Sequence, residues 1–521
     1  MYILAALILS GVGALVSGLE TDSPPCRFAT AQSQNSILNQ PDRFAWDLLY
    51  WEGQFHQNNV SYSTENGMSF DGTLLDPHSG IATVKHPFSA ASKEALQVMV
   101  YTHAIAGDKR AARFLSPLVP ELAPQIALDV LSKKLASCQE FNSTFPGFGG
   151  FLPWFTHGDV PLQPTWDWVN RVPALDNGEF IWAIYSAIEA LNARGDHQSR
   201  TLASGWQTYL NYVKTTVKQI FYAGNGRVCA VVTIGNQSLP VNHPSQKYTC
   251  EGSGSLDDPY EGELFTWFLY FFGGLGSSDR NQLWEVKRPQ LAAVNYQSEV
   301  YENITVQKGF WFSSHENWKF MEMPYLDIPL VRRVYMNNER ARTCNSKLTR
   351  NPGMFASVNN EFSHPHVTDA SGEITGYISN TGIPSISRLP DQELDVITPY
   401  SVFPVMLVDP AIGLVWWKNM VEGKMMQNPY GSTESTRIDG TAVSSFVSWD
   451  SKITTVNALL GGVQSFVARK MKRDGVYDEF ISITRMEYSR VFTNLSGEDV
   501  ALCLPDNRVP DGGLVDYTSC S

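Results

Sequence analysis

Four stretches of the chain set carboxylates beside aromatic rings, each close to where a helix should begin. "DDPYEGELFTWFLYFFGGLG" (257–276) carries Glu261 and Glu263 just ahead of a dense aromatic run. "SWDSKITTVNALL" (448–460) places Asp450 after Trp449. "WDWVNRVPALDNGEF" (166–180) holds Asp167 between Trp166 and Trp168, with Asp176 nine residues further on. "STESTRIDG" (432–440) contributes Glu434 and Asp439. Paired carboxylic acids, one protonated and one ionised, next to flat apolar faces are the equipment for cleaving a glycosidic bond.

Each stretch also has a plainer reading. Asp258, Pro259 and Glu261 fit the N-cap, first and third positions of a helix, so Glu261 alone reads as a capping carboxylate. Asp450 and Asp176 likewise fit helix caps, with Glu179 completing a capping box after Asp176. Glu434 and Asp439 fit a polar turn. Phe265, Phe268 and Phe272 share a stripe with Glu261, and a carboxyl desolvated by such rings keeps its proton toward neutral pH. The helix N-terminus pulls the other way. The local sequence leaves that contest open.

The elements that must position these acids are mostly helical. Apolar periodicity predicts helices over about 43–56, 91–106, 121–138, 176–194, 201–221, 259–272, 281–295, 401–421 and 451–472. Leu264 through Phe272 is apolar on every side, as in a helix buried all round. Strand-like runs are short, such as "RVCAVVTIG" (227–235), which predicts a hairpin ahead of Cys250. Without βαβ alternation, the expectation is an all-α fold. No Pro/Ser/Gly linker divides the chain, so residues 19–521 are expected to form a single domain.

The chain has 521 residues, 43% of them hydrophobic, and a net charge of -13. That balance, with no basic stripe, argues against nucleic acid or an anionic membrane as partner. The opening "MYILAALILSGVGALVSG" has the length of a signal peptide, expected at 1–18, and no other segment is long and apolar enough to span a bilayer. Sequons at Asn59, Asn142, Asn236, Asn303 and Asn494 agree with secretion and glycosylation. Seven cysteines allow three disulfides, with Cys229/Cys250 and Cys503/Cys520 the expected local pairs. The chain has no GxSxG, HExxH or phosphate-binding loop. His364, His366 and Asp369 in "SHPHVTD" read as a turn, so no metal and no cofactor are expected.

The segments "GFGGFLPWF" (147–155), "TWDWVNRVPALDNGEFIWAIYSAIEAL", "DDPYEGELFTWFLYFFGGLG" and "GFWFSSHENWKFMEMPY" (309–325) come in a recognisable order. The chain resembles the fungal endo-β-1,2-glucanases of glycoside hydrolase family 162 and, more distantly, bacterial endo-β-1,2-glucanases and glucoamylase-like domains. The resemblance implies an (α/α)6 toroid with a cleft across one end, and inverting endo-hydrolysis of linear β-1,2-glucan to sophorooligosaccharides without a metal. It puts the catalytic acid on Glu261, with Glu263 as the alternative, and the base on Asp450. Similar enzymes pass the proton from the attacking water to the base through a substrate hydroxyl. Asp176, Trp154, Trp166, Trp168, Glu263, Trp311 and His315 become the candidates for substrate contact, and a secreted monomer is expected. The rival readings are a glycan-binding protein without catalysis, or a hydrolase or lyase of another polysaccharide on the same frame.

Overall fold

The computed structural model describes residues 23–157, 161–301, 303–359 and 376–520. The leader at 1–18 and the "SHPHVTD" histidines lie outside these residues. The described chain is mostly helical, with strands gathered in sheets of two or three. Among the described residues, five helices of ten residues or more are buried on nearly every side: Ala91–Ile105, Leu175–Arg194, Glu263–Phe272, Pro410–Val421 and Trp449–Leu459. A helix can lose its polar face only when neighbours cover it all round. Ala91–Ile105 packs against Leu175–Arg194, Ala123–Thr144 and Trp449–Leu459. Leu175–Arg194 packs in turn on His197–Phe221, Glu263–Phe272 and Gln464–Asp474. The surrounding helices, such as His197–Phe221, bury one stripe and turn the other to solvent.

One glycine sets how closely two acid-bearing helices approach. A Cβ on Gly178 would lie 2.7 Å from the backbone nitrogen of Phe265. With no side chain there, the helices close up and Trp182 Nε1 donates to the Leu264 carbonyl at 2.8 Å. Any larger residue would force the pair apart.

Several expected boundaries move. The 281–295 helix ends at Lys287, and Ala293–Tyr296 is a strand paired with Ile304–Gln307. The 401–421 segment breaks into Phe403–Met406 and Pro410–Val421, because Asp409 caps a new helix with proline at its first position. The 451–472 segment divides at Gly461-Gly462, both at positive φ, into Trp449–Leu459 and Gln464–Asp474. Pro329–Leu348 escaped the periodicity because its inner face carries Asn337, Asn338, Glu339, Arg342 and Thr343 among its buried residues. Val231–Ile234 pairs with Tyr248–Cys250, as the hairpin reading expected, and also with Arg171–Pro173.

The disulfides are Cys26–Cys520, Cys229–Cys250 and Cys344–Cys503, with Cys138 buried and free. Cys503 therefore does not pair with Cys520. The C-terminal tail runs back over the molecule, so each of these two cysteines meets a partner far away in sequence. The main hydrophobic core is continuous from Phe28 to Cys520.

Candidate active site

A small sheet delivers the base end of the site. Gly72–Leu75 pairs with Ala82–His86 on one side and Phe446–Ser448 on the other, with Gly72 opposite both His86 and Ser448. Asp71, His86 and the start of the Trp449–Leu459 helix thereby meet at one point. Ser448 is the N-cap of that helix, its Oγ accepting from the Ser451 backbone at 3.2 Å. Asp450 is therefore free of the capping role its local sequence suggested. Its Oδ2 lies 3.0 Å from Lys93 Nζ, in the first turn of Ala91–Ile105. Its Oδ1 is buried without a hydrogen-bond partner among the described residues. Lys93 Nζ is also 3.6 Å from Asp71 Oδ1, and Asp71 Oδ2 is 3.1 Å from His86 Nδ1.

Burial pushes the Asp450 carboxyl above its ordinary range; Lys93 pulls against that, and Asp71 adds to it. Asp71 also feels burial, but Lys93 and His86 outweigh it and hold that carboxyl low. Lys93 loses solvation, yet the charges of Asp450, Asp71 and Asp176 carry its ammonium above the usual lysine range. It is a fixed cation between carboxylates.

This row forms one wall of a cavity of about 360 Å³. Trp154, Trp166 and Trp168 line the same cavity with Phe88, Tyr377 and Ser357. Phe88–Ser89 pairs with Phe155–Thr156, which pairs with Gln163–Pro164, and that ribbon brings the tryptophans to Phe88. Trp166 is 40% exposed, its ring 4.8 Å from that of Phe88, so it offers a face to a ligand. Trp168 is stacked by Arg171 at 4.6 Å, and Arg171 is itself gripped by Glu251 at 2.6 and 2.7 Å. Trp154 lies 4.8 Å beneath Lys93.

Glu261 and Glu263 prove very different. The helix begins at Glu263 with Gly262 in the cap position, so Asp258 is not its N-cap and Glu261 lies in the turn before it. Glu263 is buried, 2.8 Å from Lys319 Nζ, and accepts from Tyr325 at 2.6 Å. Burial would raise its pKa, but Lys319 and Lys287 overcome that and hold it low. Glu263 thus faces a buried lysine, away from the aromatic cavity, and stays ionised. Glu261 has no lysine or arginine at ion-pair distance among the described residues. Its Oε2 is buried and unbonded among those residues, and burial, then the charges of Asp258 and Glu316, push its carboxyl well above the ordinary range against a weaker pull from Lys319. Glu261 does not line the cavity itself. Glu179 and Tyr400 connect the two ends, because each feels the charge of both Glu261 and Asp450.

The remaining candidates divide. Asp176 is the second residue of Leu175–Arg194, which has no side-chain cap, so the capping box with Glu179 is not formed. The helix starts one residue earlier than expected and turns Glu179 into the interior. Burial raises the Asp176 carboxyl, and Lys93 opposes it. Burial also pushes Glu179 and Glu322 well upward, and the neighbouring Glu322 charge adds to the rise at Glu179. Glu434 lines the cavity, its carboxylate accepting from Ser448 and Ser451 at 2.8 and 2.7 Å. Asp439 stays in an outer turn with Thr441. Trp311 and His315 do not line the cavity; their rings lie 5.8 Å apart, behind Ser357. Burial, then Arg342, brings the His315 imidazole down to about 3, so it is neutral.

Sequence reasoning passed over Asp71, His86, Lys93 and Tyr377. Only Lys93 left a local trace, a lysine beside Glu94 in the first turn of a largely apolar helix. The other three are brought in by strands too short to show a pattern.

A high-pKa carboxyl, a cation-held carboxylate and tryptophan faces on a helical frame define a carbohydrate-cleaving acid–base enzyme. Residues 68–521 match the endo-β-1,2-glucanase SGL model of glycoside hydrolase family 162, and the chain belongs to that family. A Talaromyces funiculosus endo-β-1,2-glucanase, solved with sophorose and, as a Glu→Gln variant, with β-1,2-glucan, is 59% identical. It superposes with a TM-score of 0.93 over 96% of this chain and 100% of its own. An endo-β-1,2-glucanase from Chitinophaga pinensis shares the fold at 12% identity and a TM-score of 0.57, over 85% of this chain and 98% of that one. A Bacteroides fragilis protein assigned as a glucoamylase does so at 10% identity and 0.53, over 88% and 96%. No curated protein matches the chain.

Proposed function

We propose that the protein cleaves linear β-1,2-glucan within the chain and releases sophorooligosaccharides with inversion. Glu261 is the general acid and Asp450 the general base. The observation that carries the assignment is the contrast between Glu261 and Glu263. Two residues apart, one is a carboxyl without an ion-pair partner among the described residues, raised by burial and nearby acids, and the other is an ionised partner of Lys319. Only the first is pushed toward the protonated form that a general acid needs. Asp450, with one oxygen on Lys93 and one unbonded, is built to accept a proton. Trp154, Trp166 and Trp168 supply sugar platforms, and Asp176, near Lys93 but outside the cavity lining, is a further polar candidate. Trp311 and His315 support that wall from behind Ser357.

The fungal relative's complexes with β-1,2-glucan and sophorose support the same substrate here. The reading extends to an (α/α)6 toroid with these helix starts at one rim, and to a secreted, glycosylated monomer. Product profiling on β-glucans of defined linkage tests it, with NMR of the nascent product. Rapid loss of chain length on β-1,2-glucan with an inverted anomer is expected. Activity restricted to β-1,3- or β-1,4-glucan, or a retained anomer, would overturn it.

A further inference from the structure

We propose that Lys93 is a positioning residue for the reaction: it fixes the Asp450 carboxylate and keeps it ionised, and Asp71 with His86 anchors Lys93 from behind. The proposal rests on the reading of Asp450 as base. Lys93 stands where a lysine is least at home. It is in the N-terminal turn of a helix, where the dipole disfavours a cation, and it is 6% exposed. An ammonium taken out of water needs partners for its charge and its protons. Lys93 has two, at 3.0 Å from Asp450 and 3.6 Å from Asp71, and the Trp154 ring at 4.8 Å closes another side.

The arrangement is asymmetric. Asp71 is tied at both ends, one oxygen near Lys93 and the other on His86. Asp450 gives Lys93 only Oδ2, and its Oδ1 is buried and unpaired among the described residues. The lysine therefore orients one oxygen and leaves the other to receive a proton. It also opposes the charges crowded onto this base. Asp71 acts on Asp450 directly, Asp450 acts in turn on Asp176, Glu179, Tyr377 and Tyr400, and Lys93 is the cation among them. Without Lys93, a carboxyl buried among acids would hold its proton and could not act as a base.

The test is kcat/KM on β-1,2-glucan against pH, for Lys93→Met, Lys93→Arg and Asp71→Asn, with Asp450→Asn as reference. Lys93→Met should move the acid limb upward by roughly 1–3 pH units, with turnover recovering at higher pH and KM changing less than kcat. Lys93→Arg keeps the charge and should leave the limb in place. Asp71→Asn removes a neighbouring anion and should move the limb down. A wild-type limb in folded Lys93→Met, with Asp450→Asn inactive, would sink the proposal and leave the base assignment standing. Near-normal turnover in Asp450→Asn would sink the base assignment instead. If Lys93→Met fails to fold, Asp71→Asn decides, since a limb that stays or rises refutes the proposed balance.

Discussion

Replacing Glu261 by glutamine should separate chemistry from stability. The helix that follows starts at Glu263 and takes no cap from Glu261, so the usual loss of about 1 kcal/mol for a deleted cap does not arise. Burial already favours the protonated form of the native carboxyl, and its Oε2 has no bond to lose among the described residues, so a near-isosteric amide should leave the thermal melt almost unmoved. An amide cannot protonate a leaving oxygen, however, and a positioned general acid is worth roughly 10²–10⁴-fold. At about 1.36 kcal/mol per decade, that is roughly 2.7–5.4 kcal/mol of barrier. Glu263→Gln should show the reverse pattern. It breaks a buried pair, for which about 3–5 kcal/mol is typical, lessened here because Lys319 also donates to the Pro259 carbonyl at 2.6 Å. The assay is initial-rate kinetics on β-1,2-glucan beside a thermal melt of each variant. An active Glu261→Gln with a folded but inactive Glu263→Gln would refute the assignment and move the acid two residues along.

Trp166→Ala should weaken substrate binding by about 0.5–1.5 kcal/mol, raising KM roughly two- to tenfold with kcat little changed; a fall confined to kcat would argue that the ring orients the reacting bond. Burial chiefly pushes the Glu179 and Glu322 carboxyls upward, so the folded chain binds protons that the unfolded chain releases above the ordinary carboxylate range. Stability should therefore fall as pH rises above that range, and Glu322→Gln should flatten the slope in melts across it; a steeper slope would refute the raised pair. Exchanging both Cys26 and Cys520 for serine opens a link across 494 residues and should cost about 2–5 kcal/mol in denaturant unfolding. Cys138→Ser, which touches no disulfide, should cost less.

Local sequence determined the helices whose apolar pattern needs no partner to be seen. Ala91–Ile105, Leu175–Arg194 and His197–Phe221 lie close to their expected bounds, because apolar periodicity acts within a few residues. It also marked Glu261, Asp450 and the three tryptophans as residues suited to one chemistry. It missed Pro329–Leu348, whose polar inner face is satisfied in part by residues distant in the chain, as when Asn337 donates to the carbonyls of Thr305 and Ser496. It mispaired Cys503 for a similar reason, since the tail's return path is set by packing rather than by neighbours in the chain. Above all, the difference between Glu261 and Glu263 was illegible. Both are glutamates before an aromatic run, and only the fold gives one a lysine 56 positions away and leaves the other, among the described residues, without a cation at bonding distance. The same holds for Lys93 and Asp450, which are 357 residues apart in the chain and 3.0 Å apart in space. Side-chain type decides what chemistry is available, but a carboxyl's proton affinity depends on the charges and solvent around it, and those are set by tertiary contacts.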